Sequence, residues 1–183
     1  MRKILVLIFG LLLGITCINA QQSGIMERFN PVWEVCTRGV IAYATDKGTA
    51  DACRKAADIA DEFPPNQRSQ ERRRVYVYAA TAFGNVKDFQ AGLHYAEKAV
   101  ELVKLGYDND SGNESAYSMR GQLRSLLGDL KGGDEDMSIA ENFCRKGHLS
   151  WNLKRDLQFH AGLLNRMGRP KEAQEKLDEA EKL

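Results

Sequence analysis

The residues best suited to bind a metal ion lie in one short run, Asp108-Asn109-Asp110-Ser111-Gly112-Asn113-Glu114. Oxygen ligands alternate in this run as they do in calcium-binding loops, which makes Asp108 and Asp110 the candidate ligands. A calcium loop places its glycine after the fifth ligand and a glutamate at its end, whereas here Gly112 takes the fifth place and Met119 the last. The pattern therefore favours a solvated linker, and we expect neither a metal nor a cofactor.

The same run contains two glycosylation sequons, Asn109-Asp110-Ser111 and Asn113-Glu114-Ser115. These sequons matter only in a host that glycosylates exported proteins at such sites. Their use is left open at this point.

The histidines do not predict an active site, because catalysis needs a nucleophile, a base and an orienting group that converge. His94, His148 and His160 lie in different parts of the helical pattern described below. We expect His94 on an outer helix face, His148 beside a loop, and His160 as a partly buried packing residue next to Ala161. The chain is therefore predicted not to be an enzyme.

Three cysteines follow the N-terminal leader, namely Cys36, Cys53 and Cys144, so at least one of them must be unpaired within a monomer. With a helical turn near Gly48, Cys36 lies about 12 residues before the turn and Cys53 about five after it. At ~1.5 Å of rise per residue the two are staggered by about 10 Å, too far for a disulfide. The expectation is that the cysteines are small buried hydrophobic residues.

Residues 1–20 have the features of a secretory signal peptide: Arg2 and Lys3, an apolar stretch, and small Ala20 before the expected cleavage site. The apolar stretch is shorter than the ~20 residues of a membrane-spanning helix. Cys17 raises the alternative of a lipoprotein anchor, although Thr16 fits such a signal poorly. We therefore expect an exported protein, periplasmic or secreted.

The charge balance gives no reason to expect a nucleic-acid partner. The chain has 26 basic residues, and removal of Arg2 and Lys3 leaves 24 against 25 acidic ones, a net charge of −1. Nucleic-acid-binding domains are usually strongly basic on one face.

Apolar residues recur at helical spacing through the rest of the chain, and no stretch of useful length has the alternation of a strand. After a short disordered segment at 21–29, the pattern predicts a helical domain over 30–183. Its breaks are Pro64-Pro65 and the Gly/Asp/Asn-rich residues 106–113. Together with Gly147, which ends the third hairpin, they divide it into four hairpins, at about 31–63, 72–105, 115–146 and 153–183, with eight helices in an all-α fold.

The hairpins repeat at a spacing of about 40 residues, which indicates stacked copies of one unit. Small residues stand at matching offsets, where they allow close approach of helix backbones. Those on the first helices are Ala80, Gly121 and Ala161. Their partners on the second helices are Gly92, Gly133 and Ala173, and Ala99, Ala140 and Ala180 close each pair.

These residues resemble the tetratricopeptide repeat, most specifically through Arg120-Gly121, Leu127-Gly128-Asp129, and Gly133 with Ala140. The resemblance covers about residues 30–183 and is strongest in the third hairpin. One departure is Leu157, which stands where the two preceding copies have Tyr76 and Tyr117. The resemblance implies an α-α superhelix with a concave groove lined by the first helix of each hairpin.

The residues that the resemblance places on the exposed surface of this groove are Arg74, Val77, Thr81, Ser118, Gln122, Ser125, Arg155, Gln158 and Asn165. The family's carboxylate clamp needs lysines and asparagines at positions that hold Val77, Thr81, Ser118 and Gln122 here. Recognition of a free C-terminal carboxylate is therefore not expected.

The sequence thus predicts an exported, non-enzymatic interaction module that binds a peptide or a partner protein in a tetratricopeptide-like groove. The alternative is a structural subunit of an envelope assembly or a homo-oligomer. A calcium-binding or enzymatic role is the least favoured of these hypotheses.

Overall fold

The computed structural model describes residues 23–64, 68–106 and 112–183, and the structural statements below concern these ranges. The expected signal peptide with Cys17, the sequon at Asn109 and the candidate ligands Asp108 and Asp110 lie outside them.

The described chain is all-α, as predicted. It contains eight helices and no strand within the described ranges. These are α1 (23–41), α2 (Lys47–Asp61), α3 (Ser69–Asn85), α4 (Phe89–Lys104), α5 (Asn113–Leu126), α6 (Leu130–Lys146), α7 (Ser150–Arg166) and α8 (Pro170–Glu181).

The helices are arranged as an α-α superhelix of consecutive hairpins. Helix α3 packs on α4, α5 on α6 and α7 on α8, and each hairpin is joined to the next by contacts of α2 with α3, α4 with α5, and α6 with α7. Helix α5 also packs against α3 and α7. Helices α3, α5 and α7 therefore form one continuous layer, and α2, α4, α6 and α8 lie outside it.

Helix α1 begins earlier than the sequence predicted, because residues 23–29 are helical rather than disordered. Ile25 and Phe29 are buried, and the ring of Phe29 packs against those of Trp33 and Phe63. These apolar residues recur at the spacing of one helix face, so the first hairpin gains stability by burying them. The predicted disordered segment thus contributes Ile25 and Phe29 to the core.

Cys36 and Cys53 form a disulfide with their Cα atoms 4.7 Å apart, so the prediction that they are unpaired was wrong. The error lies in the position of the turn. Helix α1 ends at residue 41 and α2 begins at Lys47, with Asp46 as its cap, so the connection precedes Gly48. Cys36 is thus five residues before the end of α1, Cys53 lies six residues into α2, and the two face each other. Cys144 is a free, buried thiol.

Small residues allow the helices of a hairpin to approach closely. A Cβ atom on Gly133 would lie 3.0 Å from the carbonyl oxygen of Gly121, and one on Gly92 would lie 3.1 Å from that of Ala80. Both distances are tighter than nearly all Cβ contacts in folded proteins. The other small residues at these offsets, Ala99, Ala140, Ala161, Ala173 and Ala180, are at most 2% exposed.

An aspartate begins the second helix of the first three hairpins in the same way. The side chains of Asp46, Asp88 and Asp129 accept hydrogen bonds from the N–H groups of Thr49, Ala91 and Gly132 respectively. Such caps satisfy backbone donors that the helix itself leaves unpaired. The three outer helices therefore start at matching places, which aligns the inner helices that carry the groove.

Candidate functional site

A groove crosses α3, α5 and α7 on the inner layer. It has a volume of about 410 Å³. Its lining residues come from those three helices and from the connection after α1: Tyr43, Val77, Thr81, Gly84, Asn85, Ser115, Ser118, Met119, Gln122, Leu123, Leu126, Trp151 and Arg155.

The apolar part of the groove is flanked by exposed aromatic side chains. Val77 and Met119 contribute to the apolar lining, and Leu126 is 49% exposed beside them. Tyr43 and Trp151 are 80% and 71% exposed. Large exposed aromatic residues around an apolar cleft are typical of surfaces that bind other proteins.

The hydroxyl groups of the groove donate to acceptors within the protein. Thr81 Oγ1 donates to the carbonyl of Val77 at 2.9 Å, and Ser118 Oγ donates to Asp156 Oδ1 at 2.8 Å. Gln122 Nε2 in turn donates to Ser118 Oγ at 3.1 Å, which leaves the Gln122 carbonyl oxygen as an acceptor. These bonds hold the side chains of the groove in fixed orientations.

Arg155 is held against both an aromatic ring and a buried carboxylate. Its guanidinium lies 5.5 Å from the centroid of the Trp151 ring, and its Nε and Nη2 donate to Asp156 Oδ1 at 3.2 and 3.0 Å. Asp156 is fully buried. Burial raises the pKa of Asp156 above its usual value, and the nearby Glu114 raises it as well. Arg155 and Ser118 favour the ionised form of Asp156, but they do not outweigh burial.

A second buried carboxylate, Glu114, lies behind the groove. Its Oε1 accepts from Ser115 Oγ and from Asn152 Nδ2, both at 2.5 Å, and its Oε2 has no hydrogen-bond partner in the described chain. Asn113, the first residue of the second sequon, is buried and accepts a hydrogen bond from Arg73. A glycan on Asn113 would require this amide to leave its buried position.

The structure brings together at the groove five of the nine residues that the sequence placed there: Val77, Thr81, Ser118, Gln122 and Arg155. Ser118 is buried, at 2% exposure, rather than exposed as predicted, because it donates to Asp156. The other four lie elsewhere. Arg74 is exposed one turn before Val77, and Gln158 and Asn165 are exposed on α7 outside the groove.

Ser125 is fully buried rather than exposed. Its hydroxyl and carbonyl oxygens accept hydrogen bonds from Nη1 and Nη2 of Arg166, at 2.8 and 2.9 Å. Ser125 therefore joins α5 to α7 and is not available to a ligand.

Sequence reasoning missed the aromatic residues of the groove. Trp151 lies four residues before Arg155, a helical spacing that could have indicated their contact. Tyr43 had no such signal, because it lies in a connection whose position was predicted incorrectly.

Sequence reasoning also missed the polar pairs that join successive hairpins. Ser118 with Asp156, Glu114 with Asn152, and Ser125 with Arg166 are separated by 38, 38 and 41 residues. These separations are close to the repeat length, so a search for complementary polar residues at that offset could have found them.

The histidines do not form a site with the groove. His94 and His148 are exposed, while His160 is buried and lies between Glu141 Oε1, 2.6 Å from Nδ1, and Asp134 Oδ1, 2.7 Å from Nε2. Within the described ranges no group of three or more potential ligands is arranged to hold a metal ion. Burial raises the pKa of the Cys144 thiol to about 12, which disfavours the reactive thiolate.

A second cavity, of about 510 Å³, is bordered by α3, α4 and the end of α2. Two of its polar residues are already paired with Asp61: Lys98 Nζ lies 2.6 Å from Asp61 Oδ2, and Tyr76 donates a hydrogen bond to the same carboxylate. Although this cavity is larger, the groove is the better candidate site because two largely exposed aromatic side chains, Tyr43 and Trp151, lie beside its apolar lining.

Among the residues that the structure describes, no helix is both long enough and apolar enough to cross a membrane. Neither the known protein families nor the curated proteins include one that matches this chain.

Proposed function

We propose that this chain is an exported, non-enzymatic binding module of the tetratricopeptide type. It holds an extended peptide segment of a partner protein in the groove across α3, α5 and α7. The observation that carries the proposal is the groove itself: an apolar cleft on the inner helices, flanked by Tyr43 and Trp151. Clefts of this kind supply the aromatic anchors that dominate the energy of many protein interfaces.

Two features support export. The leader at 1–20 has the composition of a secretory signal, and the disulfide between Cys36 and Cys53 belongs to an oxidising compartment. A chain that stayed in a reducing cytosol would be expected to hold both cysteines as thiols.

The proposal is tested by blocking the groove. In Thr81→Trp a large side chain occupies the groove between α3 and α5, whereas Lys55→Trp places the same side chain on the exposed face of α2. The unmodified chain and Lys55→Trp should capture the same partner proteins from an envelope extract. Thr81→Trp should capture none of these proteins. The proposal fails if the unmodified chain captures no partner or if Thr81→Trp captures the same ones.

A second candidate is a structural subunit that associates with copies of itself. Val35 and Ile41 on α1 are 51% and 68% exposed, although the terminal units of repeat proteins usually have polar outer faces. A stable oligomer at micromolar concentration, measured by light scattering and dissociated by Ile41→Glu, would favour this candidate. A monomer under the same conditions excludes it.

A further inference from the structure

The charged group that the groove presents to a ligand is a guanidinium, paired from beneath with Asp156. Arg155 is the only charged residue among those lining the groove within the described chain. The two buried carboxylates behind the groove, Asp156 and Glu114, are 0% and 1% exposed, so a ligand in the groove does not contact them. A partner therefore meets the guanidinium but not the acids beneath it.

Arg155 has donor capacity left for a ligand. Its Nε and Nη2 bond to Asp156, while Nη1 has no hydrogen-bond partner in the described ranges, and the side chain is 43% exposed. Contact with the Trp151 ring and with Asp156 holds the guanidinium in place before a ligand arrives. Guanidinium groups are well suited to carboxylates because they are planar and more weakly hydrated than ammonium groups.

A similar pair lies towards the N-terminal end of the same face. Arg74 is exposed and its guanidinium lies 5.7 Å from the centroid of the Trp33 ring. Arg74 makes no ion pair with any residue that the structure describes, and it stands one turn before Val77 of the groove. The only two tryptophans of the chain thus each contact an arginine on the inner helices.

Side-chain acceptors complete the groove. The carbonyl oxygen of Gln122 remains available, and Asn85 uses its amide nitrogen on the carbonyl of Ala44 at 3.4 Å, which leaves its own oxygen available. Such acceptors suit the N–H groups of an extended backbone, whose donors need partners when they are removed from water.

We infer that the groove recognises an extended, acidic peptide segment: an aspartate or glutamate side chain bonds to Arg155, and apolar neighbours pack against Trp151 and Leu126. A further acidic residue towards the end of the groove at α3 would contact Arg74. This inference rests on the proposed function and adds the chemistry of the partner to it.

The test uses three libraries of short peptides that are N-acetylated and C-amidated. Their central residue is Glu, Gln or Lys, and their other positions are random mixtures of Ala, Leu, Ser and Thr. Amidation removes the terminal carboxylate, so only side-chain acids can be recognised. The Glu library is expected to bind the full chain about tenfold more tightly than the Gln library, and the Lys library most weakly. The Glu preference should shrink between about 0.05 and 0.3 M salt.

Arg155→Gln should abolish the difference between the Glu and Gln libraries, whereas Arg54→Gln, an exposed arginine on α2, should preserve it. Because Arg155→Gln leaves the buried Asp156 without its cation, the double variant Arg155→Gln/Asp156→Asn is measured as well. It removes both charges, and circular dichroism checks that it is folded.

The outcomes separate the inference from the function on which it rests. Three outcomes overturn the inference: all three libraries bind without preference, the Lys library binds best, or the Glu preference survives loss of Arg155. In each case peptide binding by the groove still stands, provided that Thr81→Trp abolishes the binding. If no library binds the unmodified chain, the proposed peptide-binding function fails together with the inference.

Discussion

At the scale of single residues, the last two hairpins depend on a buried ionic network around Glu141. This carboxylate is 1% exposed and contacts His160 Nδ1 at 2.6 Å and Lys176 Nζ at 2.5 Å. Asp134 bonds to the other ring nitrogen of His160 and to Arg169. The network joins α6, α7 and α8, so its charge state affects the stability of the C-terminal half of the superhelix.

Substitution of Glu141 should have a pH-dependent cost. Burial tends to raise the pKa of Glu141, but the hydrogen bonds from His160 and Lys176 outweigh burial, and the net pKa lies below its ordinary value of 4.5. The stabilisation by ionised Glu141 is therefore complete above that value and is lost as the pH falls through the folded pKa. Glu141→Gln should lower the free energy of unfolding by about 3 kcal/mol at pH 7.

Urea denaturation at pH 7 and at about pH 3.5 measures this effect, and the cost should be smaller at the lower pH. Glu179→Gln is the control, because Glu179 is 40% exposed and its pair with Arg145 is worth at most about 1 kcal/mol. An equal cost of Glu141→Gln at both pH values would contradict the account of the network.

At the scale of elements, the disulfide fastens α1 to α2. It closes a loop with a sequence separation of 17 residues, for which loop-closure entropy predicts about 3 kcal/mol of stabilisation. The double variant Cys36→Ala/Cys53→Ala should therefore have a lower denaturation midpoint, with faster hydrogen exchange in α1. Cys144→Ala is the matched control, since Cys144 is an unpaired buried thiol. Equal stability of the chain in oxidising and reducing buffer would contradict the role of the disulfide.

The turn between α3 and α4 has a non-glycine residue in the left-handed region at a place where the last two hairpins have glycine. Lys87 has a φ of 64°, whereas the residues at the matching place before α6 and α8 are Gly128 and Gly168, with φ of 96° and 74°. The left-handed region costs a non-glycine residue about 1–2 kcal/mol, part of which glycine offsets through its greater freedom in the unfolded chain.

Lys87→Gly should therefore stabilise the protein by about 0.5–1 kcal/mol in urea denaturation, and Gly128→Ala should destabilise it by a similar amount. The pair of variants tests one backbone position in two copies of the repeat. A loss of stability in Lys87→Gly would show that the lysine side chain has a role that outweighs its strain.

The sequence predicted a helix correctly where the pattern that indicates it lies within the helix itself. Apolar residues at helical spacing identified the three hairpins formed by α3 to α8. No proline or glycine marks the end of α1, so the turn between α1 and α2 was predicted too late in the chain and the disulfide was missed. Ser125 was misassigned for a different reason: it is buried beside Gly133 of α6 and bonds to Arg166, one repeat later, and no local pattern reveals these contacts.

At the scale of the whole molecule, stacking of the hairpins brings together residues that are distant in the chain. Thr81, Gln122 and Arg155 are separated by 41 and 33 residues, yet they line one groove. The repeat period made this convergence predictable for α3, α5 and α7. The contribution of Tyr43 was not predictable, because it depends on how the first hairpin ends.

The most direct measurement of the central proposal is site-specific photo-crosslinking in the organism that produces this chain. A photoreactive benzoylphenylalanine replaces Gln122 inside the groove or Lys55 on the exposed face of α2. We expect a discrete adduct at Gln122 and none at Lys55, with mass spectrometry locating the crosslink in an acidic, extended segment of the partner. Adducts at neither position, or the same adducts at both, would contradict the proposal that the groove is the binding site.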